Sequence, residues 1–347
     1  MNARIRLALP VIALCGLVFY LWNSGILGRK SASVGNESIP ATSLPAGSSS
    51  SSADATNSST GTSTSDATPS NAGATSPELA SSRLVMKKLP DSDELNLLGL
   101  PPQQQAEQMM MAAVNHFEGA TNMVQEHVAN WRGQIRKTVN WDTVELAARY
   151  SSDMRVRDAA IEVDLAVYQL EKNSETVEHL ISDAQASAAN RSYDFTLLGM
   201  LANRGIERDH VHTALKDWAH DPDETTRYWA IEGLGYIGTD DTVSDFLDVL
   251  RNDPSLKVRQ RCGASLAKSG MLTREQRMKA VPGLIDIAAD SSQDATTRGW
   301  AFQALREITA HPIGDDASAW QTWFSAHGSE RVEEFRRGDP NAVLGNS

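Results

Sequence analysis

The chain has 347 residues and a formal charge of −12, from 44 acidic and 32 basic side chains. Residues 1–82 hold four of each sign, so the acidic excess lies wholly beyond them; an acidic fold repels a phosphate backbone, and no nucleic acid partner is expected. The two cysteines, Cys15 and Cys262, are too few and too far apart for a disulfide framework or a Cys-based zinc site.

A short basic N-terminus, 1–6, precedes the apolar run "RLALPVIALCGLVFYLWNSGIL" from Arg6 to Leu27. About twenty apolar residues span a bilayer, so 7–27 is expected to be a transmembrane anchor, with Tyr20 and Trp22 suited to the interface. Arg4 and Arg6 flank one side, Arg29 and Lys30 the other. The short basic leader favours a single-pass, N-in topology with the folded part outside the cytoplasm, in the periplasm if the source is bacterial; a cleaved signal peptide is the competing reading. Residues 28–82 include "GSSSSSADATNSSTGTSTSD" and have almost no large apolar side chain. Such a chain cannot bury enough surface to offset its ordering entropy, and a flexible linker is expected there.

Residues 83–141 are expected to form a helical N-terminal cap. "PPQQQAEQMMMAAVNHF" opens on a double proline and reads as one helix, "EGATNMVQEHVANWRGQIRK" as a second. The run Met109 to Met111 fits a core gap filler.

From 142 to 327 one pattern returns. Arg157, Arg191, Arg227, Arg259 and Arg298 lead five copies, spaced 34, 36, 32 and 39 residues apart. Three residues on stand Ala160, Asp194, Ala230, Cys262 and Ala301; seven on stand Asp164, Leu198, Leu234, Leu266 and Leu305. With apolar residues four and ten on, these offsets trace one stripe of an α-helix. A second series keeps step with the first: Val144, Val177, Val211, Val243, Val281 and Trp320. A pair of helices of about 35 residues cannot bury its own stripe, but stacked copies bury one another. Asp221-Pro222 and Asp253-Pro254, each six residues before an arginine, read as helix caps, with Ser151 and Ser292 at the same offset. Gly205, Gly238 and Gly270 read as left-handed helix ends. The fold class expected is therefore an all-α solenoid of about five helix pairs, preceded by a transmembrane helix and a linker and followed by a tail, 328–347.

The stretches "DPDETTRYWAIEGLGYIG" and "DPSLKVRQRCGASLAKSG" resemble the HEAT-repeat family, in particular the short bacterial form also called PBS-lyase HEAT-like. "ITAHPIGDDASAWQTWF" looks like the aromatic closing segment of such proteins. The resemblance implies a ladder of the five arginines paired with Asp residues of adjacent turns, a structural role. The copies at Arg157 and Arg191 depart from the motif, with Asp164 at a leucine position and Asp194 at a small one.

No nucleophile elbow, phosphate-binding loop, zinc-protease motif or dinucleotide fingerprint is present. Glu207-x-x-His210 has no second copy to complete a di-iron site, and His210 and His212 point to different helix faces. One HEAT-like enzyme family binds iron through His-Glu dipeptides, whereas this chain has only Glu126-His127 and Glu178-His179. No catalytic, cofactor or metal residue is assigned. The expected function is a membrane-tethered scaffold, not an enzyme, that binds a protein or peptide through Tyr228, Trp229 and Trp300. The alternative is an enzyme or enzyme accessory on the same scaffold, bilin-lyase-like or metal-dependent.

Overall fold

The computed structural model describes residues 87–88 and 96–338. Among the described residues fourteen α-helices of five residues or more follow one another, with one short parallel pairing, β1 (Lys87–Lys88) against β2 (Phe117–Glu118). The N-terminal four helices are α1 (Pro102–Val114), α2 (Ala120–Trp131), α3 (Val139–Arg149) and α4 (Met154–Val167). α1 opens at Pro102, where the missing N–H costs nothing; Thr138 caps α3 by accepting from the Trp141 amide at 3.0 Å. Met109, Met110, Trp131 and Trp141 fill a core of their own between these helices.

Four helix pairs follow. They are α5 (Ser174–Ala186) with α6 (Arg191–Asn203), α7 (Arg208–Trp218) with α8 (Glu224–Ile237), and α9 (Asp240–Asn252) with α10 (Leu256–Ala264). After a short α11 (Arg274–Met278) come α12 (Val281–Ala289) with α13 (Ala295–Thr309), and α14 (Ala317–Gly338) closes the described chain. The second helix of each pair lies parallel to the second helix of the next. Arg191 at the start of α6 reaches Thr226 at the start of α8, and Asn203 at the end of α6 reaches the Ile237 carbonyl at the end of α8. One continuous core runs through the four pairs into α14, whose Trp320 is fully buried.

The row is tight because two glycines let backbones touch. A Cβ on Gly199 of α6 would stand 2.2 Å from the Gly233 carbonyl oxygen of α8, and one on Gly233 would stand 2.5 Å from the Phe195 carbonyl oxygen. The first helices of the pairs pack against their own partners more than against one another.

Three expectations need correction. The first concerns the number of pairs. The copy led by Arg157 is a helix, α4, but it does not join the parallel row. Asp158 in its first turn meets Arg204 at the end of α6 at 2.5 Å, and Tyr168 after its last turn meets Tyr193 in the first turn of α6. α4 is thus antiparallel to α6. Its apolar residues serve two cores, Ile161 and Leu165 facing the row and Val156, Ala159 and Val163 facing α1–α3. The stack has four pairs, and the first predicted pair belongs to the N-terminal bundle.

The second concerns the helix starts. The caps of α8 and α10 are Asp223 and Ser255, the residues immediately after each Asp-Pro dipeptide. Asp221 and Asp253 instead close Asx turns, accepting from the amides of Asp223 at 2.8 Å and Ser255 at 2.7 Å. Gly205 and Gly238 are left-handed as expected, but Gly270 has φ −76, because α10 runs on through a π-turn over Ser265–Ser269.

The third concerns the membrane. Among the described residues no helix is long and apolar enough to cross a bilayer. The longest, α14, carries Glu330, Arg331, Glu333, Glu334, Arg336 and Arg337 along its second half. This overturns the expectation of a single-pass membrane protein with its repeats outside the cytoplasm. The expected anchor, 7–27, and linker, 28–82, lie outside the described residues.

Candidate functional site

Three arginines of the parallel row, Arg191, Arg227 and Arg259, stand in the first turn or two of their helices and reach forward to the next pair. Arg227 grips Asp253 with two hydrogen bonds, Nε to Oδ2 at 2.7 Å and Nη2 to Oδ1 at 3.1 Å, and donates to the Asp221 and Pro222 carbonyls. Burial disfavours the guanidinium, but the Asp253 hydrogen bond outweighs it and holds its pKa above the usual arginine value. Arg191 donates to Thr226 and lies 3.6 Å from Asp221; Arg259 donates to Asp294 at 2.8 Å and Thr297 at 2.9 Å. Thr226 and Thr297 in turn donate to Asp223 and Asp294, the caps of their own helices. Each rung therefore ties a helix start to the loop of the next pair.

The side chain of Arg298, in the same place on α13, has no ion pair or hydrogen bond to any described residue, and its Nε is buried without an acceptor. Arg157 does not belong to the ladder either. It donates to the Ser151, Lys268 and Gly270 carbonyls at 2.6, 3.0 and 2.9 Å. Burial lowers its pKa to about 10.

Two of the carbonyls that Arg157 meets, those of Lys268 and Gly270, lie at the π-turn. Arg277 of α11 reaches the same ones, Gly270 at 2.5 Å and Lys268 at 3.0 Å, along with Ser265, Leu266 and Leu272. Two guanidiniums at a helix C-terminus satisfy its open carbonyls and favour its dipole. Nothing in the spacing of the repeat points to Arg277, which lies between copies.

A second charged group joins the bundle to the row. Arg149, at the end of α3, donates to Glu232 of α8 at 3.1 Å and to the Tyr236 hydroxyl, and it pairs with Glu145 on its own helix. Arg261 of α10 takes the other oxygen of Glu232 and donates to Ser269 at 2.7 Å. Burial opposes ionisation of Glu232, but Arg261 and Arg149 outweigh it and hold its carboxyl below the usual range.

The three aromatic candidates lie in the parallel row and are half-buried. Tyr228 and Trp229 meet edge to face with centroids 5.4 Å apart, both rest on the stack core, and Lys257 Nζ sits 4.5 Å over the Tyr228 ring. Trp300 occupies on α13 the offset of Trp229 on α8, and its neighbour across the row is Gly263 of α10. Tyr193 shares that offset on α6 and is 43% exposed, more than any of the three. The structure brings Tyr228 and Trp229 into contact, with Trp300 two helices away.

Among the remaining titratable groups, His212 of α7 meets Asp245 of α9 at 2.6 Å, and Lys216 meets it at 2.9 Å. The Asp245 hydrogen bond raises the His212 pKa against the effect of burial. His210 lies 3.2 Å from Glu178, and Glu207 accepts from Ser174. Among the described residues no group of three or more His, Cys, Asp or Glu is placed to hold a metal ion. Cys262 is buried on α10, and burial pushes its thiol pKa well up.

Residues 213–306 match the family model for HEAT repeats. The matched span runs from within α7 to within α13, and so covers the Asp-bonded rungs of Arg227 and Arg259 and all three aromatic candidates. A search of curated proteins gave no match. HEAT repeats commonly act as protein-interaction scaffolds.

Proposed function

We propose that this protein is a non-catalytic HEAT-repeat scaffold of the short bacterial type, binding a protein or peptide along the row α6, α8, α10 and α13. The observation that carries the reading is the register of that row. Because the helices are parallel and tied start to start by the ladder, residues at one offset recur at each step: Tyr193, Trp229, Arg261 and Trp300. Partly exposed tyrosine and tryptophan supply large contact area with little loss of side-chain freedom, which suits recognition. Arg261, held by Glu232 and Ser269, is the one step of that series without an aromatic ring.

The test is proximity labelling in the native cell by the full-length protein, wild type against Trp300→Ala, with thermal melting as the control for folding. Trp300 is chosen because Trp229 rests on the core. A neighbour labelled reproducibly by the wild type and lost from a normally melting variant supports the scaffold. The absence of any reproducible neighbour, or one indifferent to the substitution, counts against it.

A further inference from the structure

The ladder is regular enough that its last rung carries information. Three arginines of the parallel row, Arg191, Arg227 and Arg259, each meet an aspartate from the loop before the second helix of the following pair: Asp221, Asp253 and Asp294. In two of the three the aspartate is followed by proline and folds as an Asx turn. Arg298 is the fourth member. Its Nε is buried with no acceptor, and among the described residues no carboxylate lies within ion-pair range. Arg259 also leaves its Nε unpartnered, but there Nη1 is held by Asp294 and Thr297.

The reason for the vacancy lies in α14. The two carboxylates between α13 and α14 are already used: Asp315 takes Arg306 at 2.6 Å, and Asp316 accepts from the Ser318 and Ala319 amides at the start of α14. The second half of α14 then runs to α11, where Arg336 pairs with Glu275 at 2.6 Å. α11 precedes α12 and the start of α13 follows it, so α14 ends at the wrong end of α12 to bring a loop to Arg298. Beside Arg298 the surface is open, since a Cβ on Gly299 would meet nothing within 4 Å, and Trp300 stands two residues on.

We infer that Arg298 is a docking point for an acidic turn of a partner polypeptide, an aspartate presented as Asp221 and Asp253 are presented to Arg191 and Arg227. This rests on the scaffold reading and adds the chemistry of the partner. A guanidinium already partly desolvated loses little on accepting a carboxylate, and its fork takes two oxygens at once.

The experiment is NMR of the arginine Nε–H groups in full-length ¹⁵N-labelled protein. The probes are acetyl-Ala-Asp-Pro-Ser-amide, its Asn-Pro counterpart and sodium acetate. The Asp peptide should move the Arg298 Nε–H resonance saturably, with affinity about tenfold or more above that of the Asn peptide, as a charge-assisted bond implies. Arg298→Gln should remove the peptide response without shifting the resonances of Arg227 and Arg259. No movement at the highest peptide concentration overturns the inference, as does an equal response to acetate, which would reveal a simple anion site. Asp339-Pro340 repeats the dipeptide in the sequence and lies outside the described residues. An Asp339→Asn variant that shifts the Arg298 resonance with no peptide added would assign the rung to the chain itself and also overturn it. A blank titration alongside a partner lost from Trp300→Ala would sink this inference and leave the scaffold standing.

Discussion

Asp194 stands where three other helices carry Ala230, Cys262 and Ala301, and it breaks the small-residue rule at the crossing of α6. It has no exposed surface, and neither carboxylate oxygen has a hydrogen-bond partner. Burial, with Asp183 nearby, raises its pKa to about 6. A carboxyl whose pKa rises on folding contributes stability in acid and loses it as pH climbs through the folded value. Asp194→Ala is therefore expected to melt higher than the wild type at pH 8 and to be more stable by about 1–3 kcal/mol, the cost of an unsatisfied buried polar group. At pH 5 the difference should shrink. Melting curves at the two pH values check it, and a gap that does not narrow in acid refutes it. Asp253 is the opposite case, because its buried carboxylate is fully used by Arg227 and by the Ser255 amide. Asp253→Ala leaves a buried guanidinium without its partner and is expected to cost about 3 kcal/mol in denaturant unfolding at neutral pH. A loss under about 1 kcal/mol would mean that the rung is solvated in solution.

Helix identity and spacing were legible because a 3.6-residue stripe repeats with an arginine marker, and each expected copy is a helix. What escaped was direction. α4 has the stripe of its neighbours, and a stripe records which face is buried, not which way the chain runs. The signal was Asp164, read as a broken leucine position. It accepts from Trp141 Nε1 at 2.8 Å inside the bundle, with its pKa raised to about 7, chiefly by burial. The touching backbones of α6 and α8 were equally silent, since Gly199 and Gly233 lie outside the offsets of the stripe. They yield a paired prediction. Gly199→Ala drives a Cβ into a backbone oxygen that cannot move aside, and is expected to cost at least about 2 kcal/mol. Gly299→Ala, inside α13 with open space around it, is expected to gain about 0.5–1 kcal/mol from helix propensity. Equal effects in chemical denaturation would show that the row is not packed as described.

On the scale of the molecule, a bundle with its own core, α1–α4, joins a four-pair stack through the apolar face of α4, Ile161 and Leu165, and through a few polar contacts. The aromatic candidates were found from sequence because they recur at one offset, but the contacts joining bundle to stack were not. Arg149 and Glu232 are 83 residues apart and belong to no shared pattern. Replacing Arg149 by Gln separates the two parts of the structure in a measurable way. Glu232 keeps Arg261, so the stack retains a paired carboxylate and should stay folded, whereas the bundle loses its bonds to Glu232 and Tyr236. The connection between α4 and α5, residues 168–173, is largely exposed and becomes the place where the two halves part. Limited proteolysis of Arg149→Gln should therefore cut in that connection several-fold faster than in the wild type, while amides of α8 and α10 keep their slow hydrogen exchange. Faster exchange throughout α8 and α10 would instead show that bundle and stack fold as one unit, with Arg149 holding up the stack itself.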